Sequence, residues 1–364
     1  MITARLCTIH FCLLLSGWLV SCGPTSDTET SVTPTPTTPT GTAYAWQTPT
    51  NFPAPVYDFT KNPLTNEGVA LGRSLFYDPI LSKDGTISCA SCHAPFTAFS
   101  HTDHPVGHGI RNQSGTRNVP GIFNPAWRET FFWDGRMPDL NLLPGNAIQD
   151  PREMGDSLAN VTQKIRTSGR YRPLFRAAFG TDSITSGRML KALSQFMLTM
   201  VSANSTYDKV IRKEPGAALT DAAQRGQTLF RANCASCHRE PFFSDQSFRN
   251  VGLPRLPPPA TDDLGRSLAT KQPADRYKFA VPSLRNVEFT PPYMHDGRFG
   301  TLQQVLRHYV AGVQENPQLD PLLRGKNNGP GIPLSQQEQN DIITFLTTLT
   351  DYPFLSNPAL QPPR

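Results

Sequence analysis

The sequence predicts a mainly α-helical protein made of two tandem, related domains with long loops, and three observations carry that expectation. One pentapeptide occurs twice, as Cys89-Ala90-Ser91-Cys92-His93 and Cys234-Ala235-Ser236-Cys237-His238. An amphipathic stretch of the same pattern precedes each copy, Glu67 to Phe76 and Asp221 to Phe230. Strand-like alternation is scarce, and the 35 prolines favour loops and short helices over long bundles.

Taken in order, the chain opens on a leader. Arg5 is the only early charge, and the apolar run from Ile9 to Val20 is too short to span a bilayer. Residues 1–21 therefore read as a signal peptide. The run ends at Leu19-Val20-Ser21-Cys22, which resembles a bacterial lipobox with Cys22 as the lipidated residue. Ordinary cleavage near Ser21, with Cys22 a bystander, is the alternative. Residues 22–46 form a tether, almost all Thr, Pro, Ser and Gly from Pro24 to Thr42, a composition that cannot bury a core. The expected location is the periplasm or cell envelope, with the lipid anchoring the protein to a membrane.

Two domains are expected after the tether, 47–213 and 214–364. Thr65 and Thr220 stand where N-caps belong, with Leu75, Phe76, Leu229 and Phe230 on the buried faces of the helices they open. Further helices are expected over Gly187 to Ser202, Leu302 to Tyr309 and Gln336 to Leu349. The last opens on Ser335 and Glu338, a capping-box spacing. A second echo, Phe132-Trp133-Asp134-Gly135-Arg136 against Met294-His295-Asp296-Gly297-Arg298, supports an internal duplication. The net charge of +5 is mild and no Lys/Arg run tracks phosphates, which excludes nucleic acid as a partner.

Of seven cysteines, Cys7 and Cys12 leave with the leader and Cys22 takes the lipid, so the remaining four all lie in the repeated pentapeptide. Two thiols three positions apart can form thioethers to the two vinyl groups of one haem, and the next histidine then lies under the iron. A zinc site leaves the histidine after each pair unexplained, and two identical copies argue against a thioredoxin-like motif. The expectation is two covalently bound haem c groups in a tandem pair of cytochrome-c-like domains. Cys89, Cys92 and His93 hold one haem, and Cys234, Cys237 and His238 the other.

From Asn51 to Pro358 the chain resembles the bacterial di-haem cytochrome c peroxidase family, which includes the methylamine-utilisation enzyme MauG. The resemblance rests on LGRSLFYDPILS, SCASCH, GHG, TRNVPGIFN, FFWDGR, DPREMG, the second CASCH, VPSLRNV and YMHDGR, in that order. It implies a peroxidase that takes electrons from a small donor protein, such as a monohaem cytochrome c or a cupredoxin, and reduces hydrogen peroxide at the N-terminal haem. His93 would be the proximal ligand there, and His108, in Gly107-His108-Gly109, would close the distal side on a loop whose glycines permit movement. Glu153 would be the distal acid–base group, shuttling a proton between the peroxide oxygens. Trp133 would lie between the haems. Asn118, Thr290 and Pro292 match the side-chain and carbonyl ligands of a calcium ion between the domains.

Two departures from the family pattern bear on mechanism. Leu143 stands where many members have a glutamine beside the distal acid, with Asn146 or Gln149 as substitutes. Tyr309 stands where standard peroxidases carry the distal methionine of the second haem, as in MauG, where a tyrosine is the ligand. A phenolate favours ferric and higher iron. The second reading is therefore a MauG-like, peroxide-dependent oxidase of a partner protein. MauG sends oxidation out through a C-terminal surface tryptophan. Here the tryptophans are Trp18, Trp46, Trp127 and Trp133, so that half has none. A plain di-haem electron carrier is the third reading. A homodimer is left open.

Overall fold

A computed structural model describes residues 41–256, 262–325 and 329–363. The leader, Cys22 and all but the end of the tether lie outside them. Among the described residues the α-helices are α1 (Asn66–Phe76), α2 (Cys89–Cys92), α3 (Leu143–Gln149), α4 (Leu158–Thr167), α5 (Arg172–Phe179), α6 (Ser186–Leu198), α7 (Thr206–Ile211), α8 (Asp221–Asn233), α9 (Ser267–Thr270), α10 (Leu302–Arg307), α11 (Gln336–Thr347) and α12 (Tyr352–Leu355). The only sheet among these residues pairs β1 (Phe248–Arg249) with β2 (Phe279–Ala280), antiparallel. No helix among them is long and apolar enough to cross a membrane.

The duplication is visible in the packing. Thr65 and Thr220 cap α1 and α8 by accepting hydrogen bonds from the amides of Gly68 and Ala223. Each capped helix then crosses a partner, α1 against α6 and α8 against α11. The crossings are close because each has a glycine at the contact. A Cβ on Gly72 would overlap the Ala192 carbonyl, and one on Gly226 the Asp341 carbonyl. Three fully buried phenylalanines stand beside each crossing. Phe76 lies 5.9 Å from Phe99 and 5.3 Å from Phe196, and Phe230 lies 5.7 Å from Phe243 and 5.3 Å from Phe345. The second echo repeats as well: Phe131 bridges Met137, Tyr293 bridges Phe299, and Phe132 and Met294 both take positive φ.

These crossings make Gly226→Ala a sensitive substitution. The added methyl meets backbone, which cannot rotate away, so we expect a loss of about 1–3 kcal/mol. Thermal unfolding of the holoprotein reads it, and an unchanged Tm would show that the helices separate freely.

Three helix ends differ from the sequence expectation. The stretch expected to run to Ser202 stops at Leu198, because Asn124 claims the backbone beyond it. The Asn124 amide donates to the Met200 carbonyl, and its side chain accepts from the Ser202 amide. Helix α11 ends at Thr347 rather than Leu349, where Thr348 caps it. The helix expected through Tyr309 is regular only to Arg307, and His308–Gly312 form a π-turn. The His308 Nε2 is held by the Val251 carbonyl, and the Tyr309 carbonyl accepts from Ile332. Such turns re-aim side chains, and here the residue re-aimed is Tyr309.

One buried ion pair ties the first half of the chain to the second. Asp208 on α7 and Arg285 are both fully buried and joined by two hydrogen bonds of 2.8 Å.

Candidate active site

Each CxxCH segment ends under a carbonyl that sets its histidine. The His93 Nδ1 donates to the Phe99 carbonyl at 2.6 Å, and the His238 Nδ1 to the Phe243 carbonyl at 3.0 Å. Both phenylalanines sit at positive φ, which turns their carbonyls back on the rings. With Nδ1 carrying the proton, the Nε2 lone pair is left for a metal. Burial holds both imidazoles neutral and pulls His93 down to about 4.

None of the four motif cysteines is disulfide-bonded. Burial pushes Cys89 and Cys234 up to about 12 and Cys92 to about 11. A redox CxxC needs its thiol lowered instead, so the environment disfavours the thioredoxin-like reading. No group of three or more His, Cys, Asp or Glu among the described residues is arranged to hold a metal ion.

A large, mostly apolar cavity opens above the second motif. Cys234, Cys237 and His238 line it together with Leu302, Val305, Leu306 and Tyr309. Several polar side chains in its wall make no hydrogen bond among the described residues, and two of them bear on what the cavity holds. One is the Tyr309 hydroxyl, which burial and the nearby Cys234 and Cys237 sulfurs hold above the usual phenol range. The other is the Arg128 guanidinium, which lines the cavity and is depressed by burial. A mostly apolar cavity lined by His238, the Tyr309 phenol and the Arg128 cation suits a haem, whose propionates are anions.

Of the residues expected around the first motif, Glu153, Asn146 and Gln149 meet in one pocket, which neither His93 nor His108 lines. Glu153 shares a small pocket with Phe132, Arg136, Asn146, Gln149 and Asp150. Burial, reinforced by the Asp150 charge, raises its carboxyl above the usual range against the pull of Arg136 and Arg152. Its charge is felt by both Cys89 and Cys92. Leu143, Asn146 and Gln149 all lie on α3. Gln149 is exposed and its amide donates to the Gly145 carbonyl, whereas Asn146 is half-buried with no side-chain partner among the described residues. Asn146 is therefore the polar group beside Glu153 that Leu143 cannot be.

The GHG loop meets this pocket from behind. The Ile110 amide donates to the Glu153 carbonyl at 2.8 Å, and the His108 carbonyl lies 3.9 Å from the Cys92 sulfur. Both glycines also stand where other atoms pack closely against the loop. A Cβ on Gly109 would overlap the Arg152 and Glu153 carbonyls, and one on Gly107 would crowd Val119 and Cys92. The loop is also pinned by a bridge between His108 and Ser114. The His108 ring is half-buried and packs 4.7 Å from His104.

Trp133, Asn118, Thr290 and Pro292 all line the large cavity. The Trp133 indole donates to the Asn118 carbonyl, and the Asn118 amide donates to the His295 carbonyl. Asn118 thus joins the two echoes, and its side-chain amide is anchored on the Pro105 carbonyl. His295 lines the same cavity, buried and stacked 3.5 Å from Phe279, and burial pulls it to about 4. Sequence reasoning treated it only as a landmark. The signal was present, since His295 holds the position in the second echo that Trp133 holds in the first.

Comparison with known proteins agrees with this geometry. A family model for di-haem cytochrome c peroxidase matches residues 66–216, and one for cytochrome c matches 223–350. The chain is 38% identical over 298 residues to the methylamine utilization protein MauG of Methylorubrum extorquens, with 80% of each chain covered. It is 33% identical over 297 residues to the cytochrome c551 peroxidase of Nitrosomonas europaea, covering 80% of this chain and 83% of that one. Among solved structures it is similar to a MauG-like protein associated with microbial copper homeostasis, with a TM-score of 0.78, 33% identity, and coverage of 88% and 99%. It is also similar to the dihaem peroxidase BthA of Burkholderia thailandensis, with a TM-score of 0.66, 26% identity, and coverage of 83% and 91%. A mostly helical pair of cytochrome-c-like domains with covalent haem and this ancestry is an oxidoreductase of the di-haem cytochrome c peroxidase and MauG family, to which the chain belongs.

Proposed function

We propose that the protein reduces hydrogen peroxide to two waters beside the first CxxCH motif, consuming two protons and two electrons per peroxide, the electrons coming from a small redox protein. The observation that carries this reading is Glu153, a carboxyl with a raised pKa, set in a pocket next to that motif and beside an unpartnered Asn146. When bound, the haem irons supply the electron exchange with peroxide and donor. Glu153 as carboxylate takes the proton from the inner peroxide oxygen and returns it to the outer one, which leaves as water. Asn146 orients the peroxide. His108 would close the distal side of the first haem at rest and move aside to admit peroxide, on the loop whose Ile110 amide also braces the Glu153 carbonyl. Replacing Glu153 with Gln tests the reading: both haems stay bound and turnover falls.

At the second motif His238 and Tyr309 would hold the haem iron when the haem is bound, and Trp133, on the wall of the same cavity, would pass electrons towards the first motif. Two observations support a phenol ligand: the hydroxyl faces the cavity without a partner, and His308 is tied to Val251 and so withdrawn. Tyr309→Phe is expected to convert the low-spin signal of the second haem to high-spin in electron paramagnetic resonance and leave the first unchanged. An unaltered spectrum would remove Tyr309 from the coordination sphere. The same tyrosine favours the second reading, peroxide-dependent oxidation of a partner protein, which a peroxide-dependent mass change on one captured protein would establish.

Calcium held by the Asn118 side chain and the Thr290 and Pro292 carbonyls is also part of the proposal, supported by their shared position on the cavity wall. So is a lipid on Cys22 that keeps the protein in the cell envelope, supported by the lipobox-like LVSC and the Thr/Pro tether.

A further inference from the structure

We infer that Trp127 and Trp46 form a second redox-active pair, which carries oxidising equivalents from the cavity of the second motif to the protein surface when no donor protein is bound. The inference rests on the peroxidase reading above and adds an outlet to it.

Trp127 is 2% exposed and lines the cavity that Cys234, Cys237 and His238 also line. Trp46 stands directly behind it, with ring centroids 5.6 Å apart and planes inclined by 33°. Trp46 is partly exposed. One step between two indoles therefore connects the cavity to solvent.

The remaining rings of this cluster are poorer carriers, which singles out the pair. Phe52, Phe59 and Phe242 pack on the two indoles at 4.6–5.7 Å, but a bare phenyl ring is much harder to oxidise than an indole. Tyr57 lies 5.1 Å beyond Phe59. Oxidising a phenol expels its proton, and the Tyr57 hydroxyl donates at 2.9 Å to the Asn141 side-chain carbonyl, which is no base. An indole can lose an electron and keep its proton. The indole N–H of Trp127 donates to the Pro53 carbonyl at 2.8 Å and that of Trp46 to the Leu198 carbonyl at 3.2 Å. Both carbonyl dipoles point their negative ends at the indole and stabilise a cation there. The Arg285 cation, 4.7 Å from the Phe52 ring, is neutralised by Asp208 and does not oppose it.

The electron count closes as follows. One electron leaves the Trp46 indole, passes through Trp127 and reduces the peroxide-oxidised protein by one equivalent. Two such events, with two protons from solvent, complete the conversion of one peroxide to two waters. Each Trp46 radical cation is restored by one electron from a phenol-class reductant at the surface, which becomes a phenoxyl radical and releases its proton to solvent.

The test is freeze-quench electron paramagnetic resonance of the di-haem holoprotein mixed with one equivalent of hydrogen peroxide and no donor. Wild type is expected to show an indole radical that narrows when the protein is grown on ring-deuterated tryptophan. Trp46→Phe keeps a ring against Phe59 and Trp127, so the fold is retained. In it the radical is lost and the oxidised haem state lives longer, while donor-supported peroxide turnover is unchanged. Trp127→Phe should lose the radical equally. An undiminished radical in Trp46→Phe, or oxidised haems with no indole radical in wild type, would overturn the inference while leaving the peroxidase reading intact. Haems left unoxidised by peroxide would overturn both.

Discussion

Glu153→Gln should bind both haems, keep the ferric spectrum and lose peroxide turnover by about 10²–10⁴-fold, the range for removing a positioned acid–base group. The amide is nearly the same size and still fills the pocket with Phe132, Arg136 and Asn146. It cannot accept the proton that must move between the two oxygens. The same carboxyl sets a pH dependence. Glu153 acts first as a base, and its pKa is raised by burial and by Asp150. The carboxylate therefore disappears as pH falls through a value above the ordinary glutamate one, about 4.3. In wild type the acid limb of the rate profile should lie above that pH, and in the variant it should be absent. Steady-state peroxide consumption from pH 4 to 8 measures both. An unimpaired variant would move the proton shuttle to another group.

Arg285→Met should cost the holoprotein about 3–5 kcal/mol, because removing one member of a buried pair leaves the other charge uncompensated. The guanidinium gives Asp208 two hydrogen bonds and gives the Pro241 carbonyl a third, all of 2.8 Å. It also lies over Phe243, whose carbonyl holds His238, so the loss reaches the second haem's ligand. Burial tends to raise Asp208, but Arg285 and the Ser205 hydroxyl and amide more than offset it, and the carboxyl stays below its usual range. In wild type this stabilises the fold above about pH 3.9, the unfolded value, and is lost as pH falls through the lower folded one. In the variant the unpaired carboxyl is raised, so its penalty is absent below about pH 3.9 and grows as pH rises. The gap in Tm should widen from pH 4 to neutrality. Replacing Asp208 with Leu in the same chain should recover part of it. A gap that ignores pH would assign the loss to packing over Phe52 and Phe243 instead.

Local chemistry was legible in the sequence and non-local geometry was not. The N-caps at Thr65, Thr220 and Ser335 stand where the sequence placed them, because a cap is a contact across three residues. The tandem fold was legible from the repeated pentapeptide and its leading helix. The close packing at the GHG loop was not legible, since nothing near it in sequence reveals that the Glu153 backbone lies against Gly109. The π-turn after Arg307 also escaped, because it depends on Val251 and Ile332 holding His308 and Tyr309. Asp208 and Arg285, 77 residues apart, carry no pattern that marks them as partners. The Trp46–Trp127 stack is equally silent, as one ring lies at the end of the tether and the other in a short loop helix.

The most direct test of the account is stopped-flow absorption of the purified di-haem protein mixed with hydrogen peroxide, followed by titration with a reduced monohaem cytochrome c. The account predicts a haem spectral change that saturates at one equivalent of peroxide and is reversed by two equivalents of donor. A spectrum that ignores peroxide while both haems still exchange electrons with the donor would contradict it and leave a di-haem electron carrier.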